Sequence, residues 1–347
     1  MKSAINGPVH LVAWSLLVVI FVGCNNAKER VVLYCAQDEE FAEKVLEEFH
    51  GHTGINVDPK YDTEADKSVS LYVELVEEKT HPRCDVHWNN EILSTIRLQR
   101  LGLLEPYHSA GMDAYPPSAR AKDDSWHAFA ARARILIVNT KLVAEKDRPS
   151  SIFDMTDPRW KGRIALAKPQ FGTTATQAAC LFEVLGPDKA REFYRALHAN
   201  DVQIVPGNKQ VAERVAAGEA AFGITDTDDA IGEVESGKPV TIVFPDSQGP
   251  KNERMGTLYI PNTVALIRGC PNPQGGRRLI DYLLSPEVEG QLAETASHQI
   301  PLNPQVKARL PAEIKRPESI KAMDVDFEKA ADLWDEAQMF LRNEFAR

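Results

Sequence analysis

Three aspartates, Asp226, Asp228 and Asp229, follow the apolar run 221–225 (AFGIT) so closely that their carboxylates fall within one turn of chain. Two carboxylates about 4 Å apart repel by roughly 4 kcal/mol at an effective dielectric near 20. Three that converge in a cleft therefore call for a neutralising cation or a retained proton. Aspartate oxygens are hard donors, suited to a hard cation. One of the three could instead cap a helix, since Asp is a preferred N-cap, but capping does not account for all of them. The run is not a calcium loop, because Ala230 and Ile231 stand where that motif needs an acid or amide and a glycine. Gly172, Thr173 and Thr174 follow a second apolar run, 164–167 (IALA), at the expected start of a helix, and Asn208 stands at the start of another. Unpaired N–H groups and the helix dipole favour an anion at such ends; ordinary helix capping is the competing use of these residues. His81, His87, His127, His198 and His298 lack the spacing of a zinc motif and read as structural.

These residues must be positioned by an alternation of strands and helices. Residues 31–36 (VVLYCA) read as a strand, 41–50 as a helix with Phe41, Val45, Leu46 and Phe49 on one face, 55–57 as a strand, 69–78 as a helix, 85–88 as a strand and 92–101 as a helix. A second such unit begins near Trp126, with strands at 134–139, 164–167 and 221–225 and helices at 175–185 and 210–217. A strand at 264–267, a helix at 275–284 and a helical tail over 319–345 complete the chain. The pattern predicts an α/β fold with mostly parallel strands. In such sheets ligands sit beyond the carboxyl ends of the strands, a rule that points at Gln37-Asp38-Glu39 and at Asn89-Asn90-Glu91.

The composition narrows the partners. Asp and Glu outnumber Lys and Arg by 50 to 40, a surface that repels nucleic acid. Residues 11–22 form an uncharged apolar run, too short to span a membrane comfortably, that ends at Phe21-Val22-Gly23-Cys24. This boundary resembles a bacterial lipobox. It implies a signal peptide over 1–23, a lipid anchor on Cys24 and an extracytoplasmic location, periplasmic or at the cell surface. The remaining cysteines, Cys35, Cys84, Cys180 and Cys270, lack metal spacing and read as small buried hydrophobes.

Several segments, taken in order, resemble the ferric-iron-binding branch of the solute-binding proteins that serve ABC importers. These are 34–40 (YCAQDEE), 84–88 (CDVHW), 101–106 (LGLLEP), 131–139 (ARARILIVN), 157–164 (DPRWKGRI), 280–287 (IDYLLSPE) and 300–304 (IPLNP). The resemblance implies a two-lobed class II periplasmic-binding-protein fold, with two crossover strands and a ligand cleft between the lobes. It implies lobe 1 over 30–125 plus 260–310, lobe 2 over 126–259, and a C-terminal helix over 319–345 packed on the body. It implies transport binding rather than enzymatic turnover, a monomer, and an ABC permease as partner. Relatives grip ferric ion with two adjacent tyrosines, often joined by a His and a Glu. At the matching positions this chain has Asp228-Asp229, Asp38 and Asn90, with Glu91 alongside. Arg132 matches an arginine that some relatives direct at a partner anion, and Gly172, Thr173, Thr174 and Asn208 match the anion site. The implied ligand is a metal ion, ferric or divalent, with a partner anion. The alternative is a phosphorus-containing solute such as an aminophosphonate or phosphate ester, with an ammonium facing Asp226 and Asp228. A metal-dependent hydrolase is a third reading, with no nucleophile–base pair to support it.

Overall fold

The computed structural model describes Met1 and residues 30–62, 69–248 and 255–345. The expected leader after Met1 and Cys24 lie outside the described residues. The first unit runs β1 (Arg30–Cys35), α1 (Glu39–Thr53), β2 (Asn56–Tyr61), α2 (Ser70–Glu77), β3 (Val86–Asn89), α3 (Leu93–Arg100) and β4 (Leu104–Glu105). The long strand β5 (His127–Asn139) leads to a second unit: β6 (Ile164–Ala167), α4 (Gly172–Leu185), α5 (Pro187–Ala199), β7 (Gln203–Val205), α6 (Asn208–Ala216), β8 (Phe222–Asp226), α7 (Thr227–Glu235) and β9 (Val240–Val243). Strand β10 (Tyr259–Ile267) returns to the first unit. It is followed by α8 (Pro273–Leu283), α9 (Pro286–Glu294), α10 (Phe327–Asp332) and α11 (Trp334–Glu344).

The strands form one curled sheet ordered β2-β1-β3-β10-β5-β8-β6-β7, with β4 beside β10 and β9 beside β5. Each unit keeps a parallel heart, β2-β1-β3 in one and β8-β6-β7 in the other. The strands that join them are antiparallel to their neighbours, which departs from the mostly parallel sheet read from the sequence. Strand β5 makes the crossing visible. Its residues 127–133 pair with β10, and its residues 134–138 pair with β8. All thirteen of its residues are buried, as a central strand covered on both faces requires. The result is the two-lobed arrangement, with the lobes meeting across β5 and β10.

Local sequence explains the helices that matter most. Helix α1 buries Ala42, Val45, Leu46 and Phe49 and ends at Gly54, whose φ of 70° makes a left-handed C-terminal stop. Helix α4 begins at Gly172, three residues earlier than its apolar pattern predicts, and is buried from Gly172 through Phe182. Gly172 itself has φ of 52°, a conformation other residues adopt only with strain. In β8, a Cβ on Gly223 would stand 2.7 Å from the Ala165 carbonyl oxygen and 2.6 Å from Val211. The second unit's sheet and α6 can pack this closely only on glycine. The tail is two helices, α10 and α11, divided at Leu333, rather than one helix from residue 319.

Candidate solute-binding site

The carboxyl ends of β1, β3, β6, β7 and β8 all open toward one narrow polar cavity of about 30 Å³, part of it open to solvent. Its walls contain Asp38, Asn90, Arg132, Gly172, Thr173, Thr174, Asn208, Asp226, Asp228 and Asp229. Residues that the sequence places up to 191 positions apart are thus brought together. Glu91 is not among the wall residues. It is fully buried, and its carboxylate accepts from the Leu93 and Ser94 N–H groups at 2.7 and 2.9 Å, and from Thr176 Oγ1 at 2.8 Å. Those bonds satisfy the start of α3 and tie it to α4.

Three helices begin at this cavity, and none has a side-chain cap. The N-cap positions are Phe171 for α4, Gly207 for α6 and Asp226 for α7. Their leading N–H groups have no partner within their own helices. Capping, the ordinary use of Asp226, Thr173 and Asn208, is therefore not what these side chains do. They form a network around a residue that the sequence reading missed, Arg134, which is completely buried. Asp226 Oδ1 accepts from Arg134 Nη1 at 2.9 Å, and its Oδ2 accepts from Thr173 Oγ1 and from Asn208 Nδ2. Arg134 also donates to Gln177 Oε1, Asn208 Oδ1, Thr173 Oγ1 and Thr174 Oγ1 at 3.0–3.2 Å. The hydroxyls and amide are held at the mouths of α4 and α6 by a rigid buried frame.

Arg132 lies two residues earlier on β5 and serves the opposite wall. It donates through Nη2 to the Asn90 carbonyl oxygen and to Asn262 Oδ1, and its Nη1 is 3.6 Å from Asp228 Oδ2. Burial by itself would lower its pKa, but the carboxylates of Asp228, Asp226, Asp38 and Asp229 outweigh it and hold the guanidinium above its ordinary range. Its Nε is buried without a partner among the described residues. Carboxylate oxygens of Asp226, Asp228 and Asp229 do lie within 4.8 Å of one another. Arginines oppose Asp226 and Asp228 directly, which supplies part of the neutralising charge that the sequence calls for. No tyrosine is among the described residues that line the cavity. Lys168 and Phe171, also missed in the sequence, complete its rim on the loop before α4.

A two-lobed sheet with a polar cavity between the lobes and three helix starts facing it defines a solute-binding protein. Residues 95–327 match the family described as bacterial extracellular solute-binding protein, and the chain belongs to that family. It is 29% identical to an uncharacterized protein of Haemophilus influenzae over 88% of this chain and 87% of that one. It is 24% identical to the major ferric iron-binding protein of Neisseria meningitidis, over 85% of this chain and 87% of the relative. Among solved structures it resembles the periplasmic binding protein AfuA of Actinobacillus pleuropneumoniae with exogenous fructose-6-phosphate bound. That match has a TM-score of 0.80 and 26% identity, and covers 92% of this chain and 99% of AfuA. The family consists of binding proteins, not enzymes. Among the described residues no helix is long and apolar enough to cross a membrane.

Proposed function

We propose that this chain is the binding component of an ABC importer for a phosphomonoester with a hydroxyl-rich organic tail, tethered outside the cytoplasm by lipid on Cys24. The observation that carries the reading is the set of uncapped helix starts at Gly172–Thr174 and Asn208, whose hydroxyls and amide are fixed by Arg134. A phosphate there meets backbone N–H donors and the positive ends of helix dipoles. Lys168 adds an exposed cation at the rim. The tail then faces Asp38, Asp228 and Asp229, whose oxygens accept from hydroxyls. An aminophosphonate fits less well, because its ammonium would have to compete with Arg132 for Asp228.

A metal ion with a partner anion is the second reading, and the closeness of the three aspartates favours it. Against it stands the arginine frame: each unit of cation charge set about 4 Å from a guanidinium meets repulsion of roughly 4 kcal/mol at an effective dielectric near 20. Both Asp226 oxygens are already engaged. Calorimetry with a hexose phosphate, the parent hexose, aminoethylphosphonate and ferric citrate separates the readings. The hexose phosphate is expected to bind and the parent hexose to give no heat. Saturable binding of ferric citrate with none of the hexose phosphate would reverse the order.

A further inference from the structure

A second cavity, of about 520 Å³, lies on the other side of the loop that carries Lys168 and Phe171. Its volume falls in the range of small-molecule sites. It is bounded by α2 and α3, by that loop and by α11, so it spans both units of the chain. Its character is aromatic and cationic. The Arg97 guanidinium is stacked 4.4 Å from the Tyr72 ring centre and 5.1 Å from that of Trp334. Arg342 and Lys168 also face the cavity, and neither side chain has a hydrogen-bond or ion-pair partner among the described residues. The one acid in the wall, Asp335, stands 3.5 Å from Arg97 and is 91% exposed, so its charge is largely screened. This local excess of positive charge occurs in a chain whose net charge is −10.

A separate observation points to a ligand. Gln338 is 4% exposed, forms part of the wall, and its Nε2 has no acceptor among the described residues. A buried amide donor left unpaired costs free energy that an incoming acceptor would recover. We propose that this cavity is a second binding site, taking a small planar organic anion: an aromatic ring system bearing a carboxylate. The ring system packs against Trp334 and Phe171. The carboxylate accepts from Gln338 Nε2 and Arg342, which completes the amide and pairs the cation. The site shares Lys168 and Phe171 with the rim of the solute cavity, but its anchoring groups, Gln338, Arg342 and Trp334, lie outside that cavity.

Naphthoate is the probe, with naphthylmethanol as its neutral counterpart, measured by calorimetry and by the fluorescence of Trp334, assigned through Trp334→Phe. Saturable one-to-one binding of naphthoate is expected, with the neutral counterpart weaker. Arg342 is exposed, so Arg342→Glu should fold normally. It is expected to weaken naphthoate about tenfold or more, as the loss of one charge-assisted hydrogen bond implies. Gln338→Leu, which keeps the volume, should weaken it by about fivefold. Asp229→Asn, a part-buried change in the wall of the solute cavity and outside the second one, should leave naphthoate binding intact. The proposal is overturned by the absence of saturable binding, by binding that both Arg342→Glu and Gln338→Leu leave unchanged, or by a changed affinity in Asp229→Asn, which would put the probe in the solute cavity.

Discussion

Replacing Asp226 by Asn changes a charge and almost no volume, and the two accounts of the aspartate cluster give it opposite signs. Asp226 is 4% exposed and Arg134 is fully buried. Removing one partner of a buried ion pair typically costs about 3–5 kcal/mol, because the other charge is left in a poor dielectric. Arg134 keeps acceptors on Gln177, Asn208, Thr173 and Thr174, which places the cost at the low end, about 3 kcal/mol. The new amide adds a donor facing Arg134 on one side or Asn208 Nδ2 on the other, so one contact becomes donor against donor. For a chain of this length about 3 kcal/mol corresponds to a fall of roughly 6 °C in Tm. Had the carboxylates been crowded and unpaired, removing one would relieve repulsion of up to ~4 kcal/mol and raise the stability of the ligand-free protein. Urea and thermal denaturation of ligand-free protein at neutral pH read the sign directly. A Tm at or above that of the parent protein would refute the buried-frame account and return the cluster to the role of a cation site.

Thr173→Asp sets a carboxylate in the first turn of α4, where the proposed solute would place its phosphate. Helix-end charge effects reach about 2 kcal/mol when partly buried, so calorimetry with the hexose phosphate should show a loss of up to ~30-fold; unchanged affinity would move the anion site elsewhere. His87 is buried, and burial pushes its pKa down to about 4, while its bond to the Tyr34 carbonyl oxygen opposes the shift. A histidine depressed in the folded state contributes stability above its unfolded pKa of about 6.5 and loses it as pH falls toward about 4, up to ~3 kcal/mol in all. His87→Gln should therefore flatten the dependence of the urea midpoint on pH between about 6.5 and 4, and an unaltered slope would remove His87 from the account. Cys24→Ser should leave the protein unprocessed or release it from the membrane fraction, and normal processing with unchanged fractionation would reject the lipid anchor.

How far the sequence reached is best seen on β5. The alternation Ala131-Arg132-Ala133-Arg134 sets both arginines on one face of a strand. Two long cations directed together from a buried strand are a signal for carboxylates or an anion opposite. Only Arg132 was singled out, through the resemblance, and Arg134 passed as part of an apolar run. Its partner Asp226 is 92 residues away, a separation at which one sequence carries no pairing information. The rule about carboxyl ends of strands placed Asp38 and Asn90 on the cavity wall, because it follows from the direction of parallel strands. It could not tell Asn90 from Glu91, since adjacent residues past a strand differ only in the local turn that aims them. Helix α4 was placed three residues late because Gly172, Thr173 and Thr174 are poor helix formers by propensity. Burial between the lobes overrides that weak preference.

The arginines also explain why acids at the positions where the resemblance expects tyrosines need not preserve a metal site. Two phenolates beside a ferric ion are anions whose charge the metal itself compensates. Asp228, by contrast, has a permanent cation 3.6 Å away on a strand shared by both lobes. Arg132 in turn is held by the Asn90 carbonyl oxygen after β3 and by Asn262 on β10, so it cannot leave without loosening both crossover strands. A solute that needed Asp228 as a bare anion would have to break that junction. One that offers hydroxyl hydrogens can bond the carboxylate's remaining lone pairs and leave the pair intact. On the proposed reading, the frame therefore favours neutral donors at one end and, through the starts of α4 and α6, an oxyanion at the other.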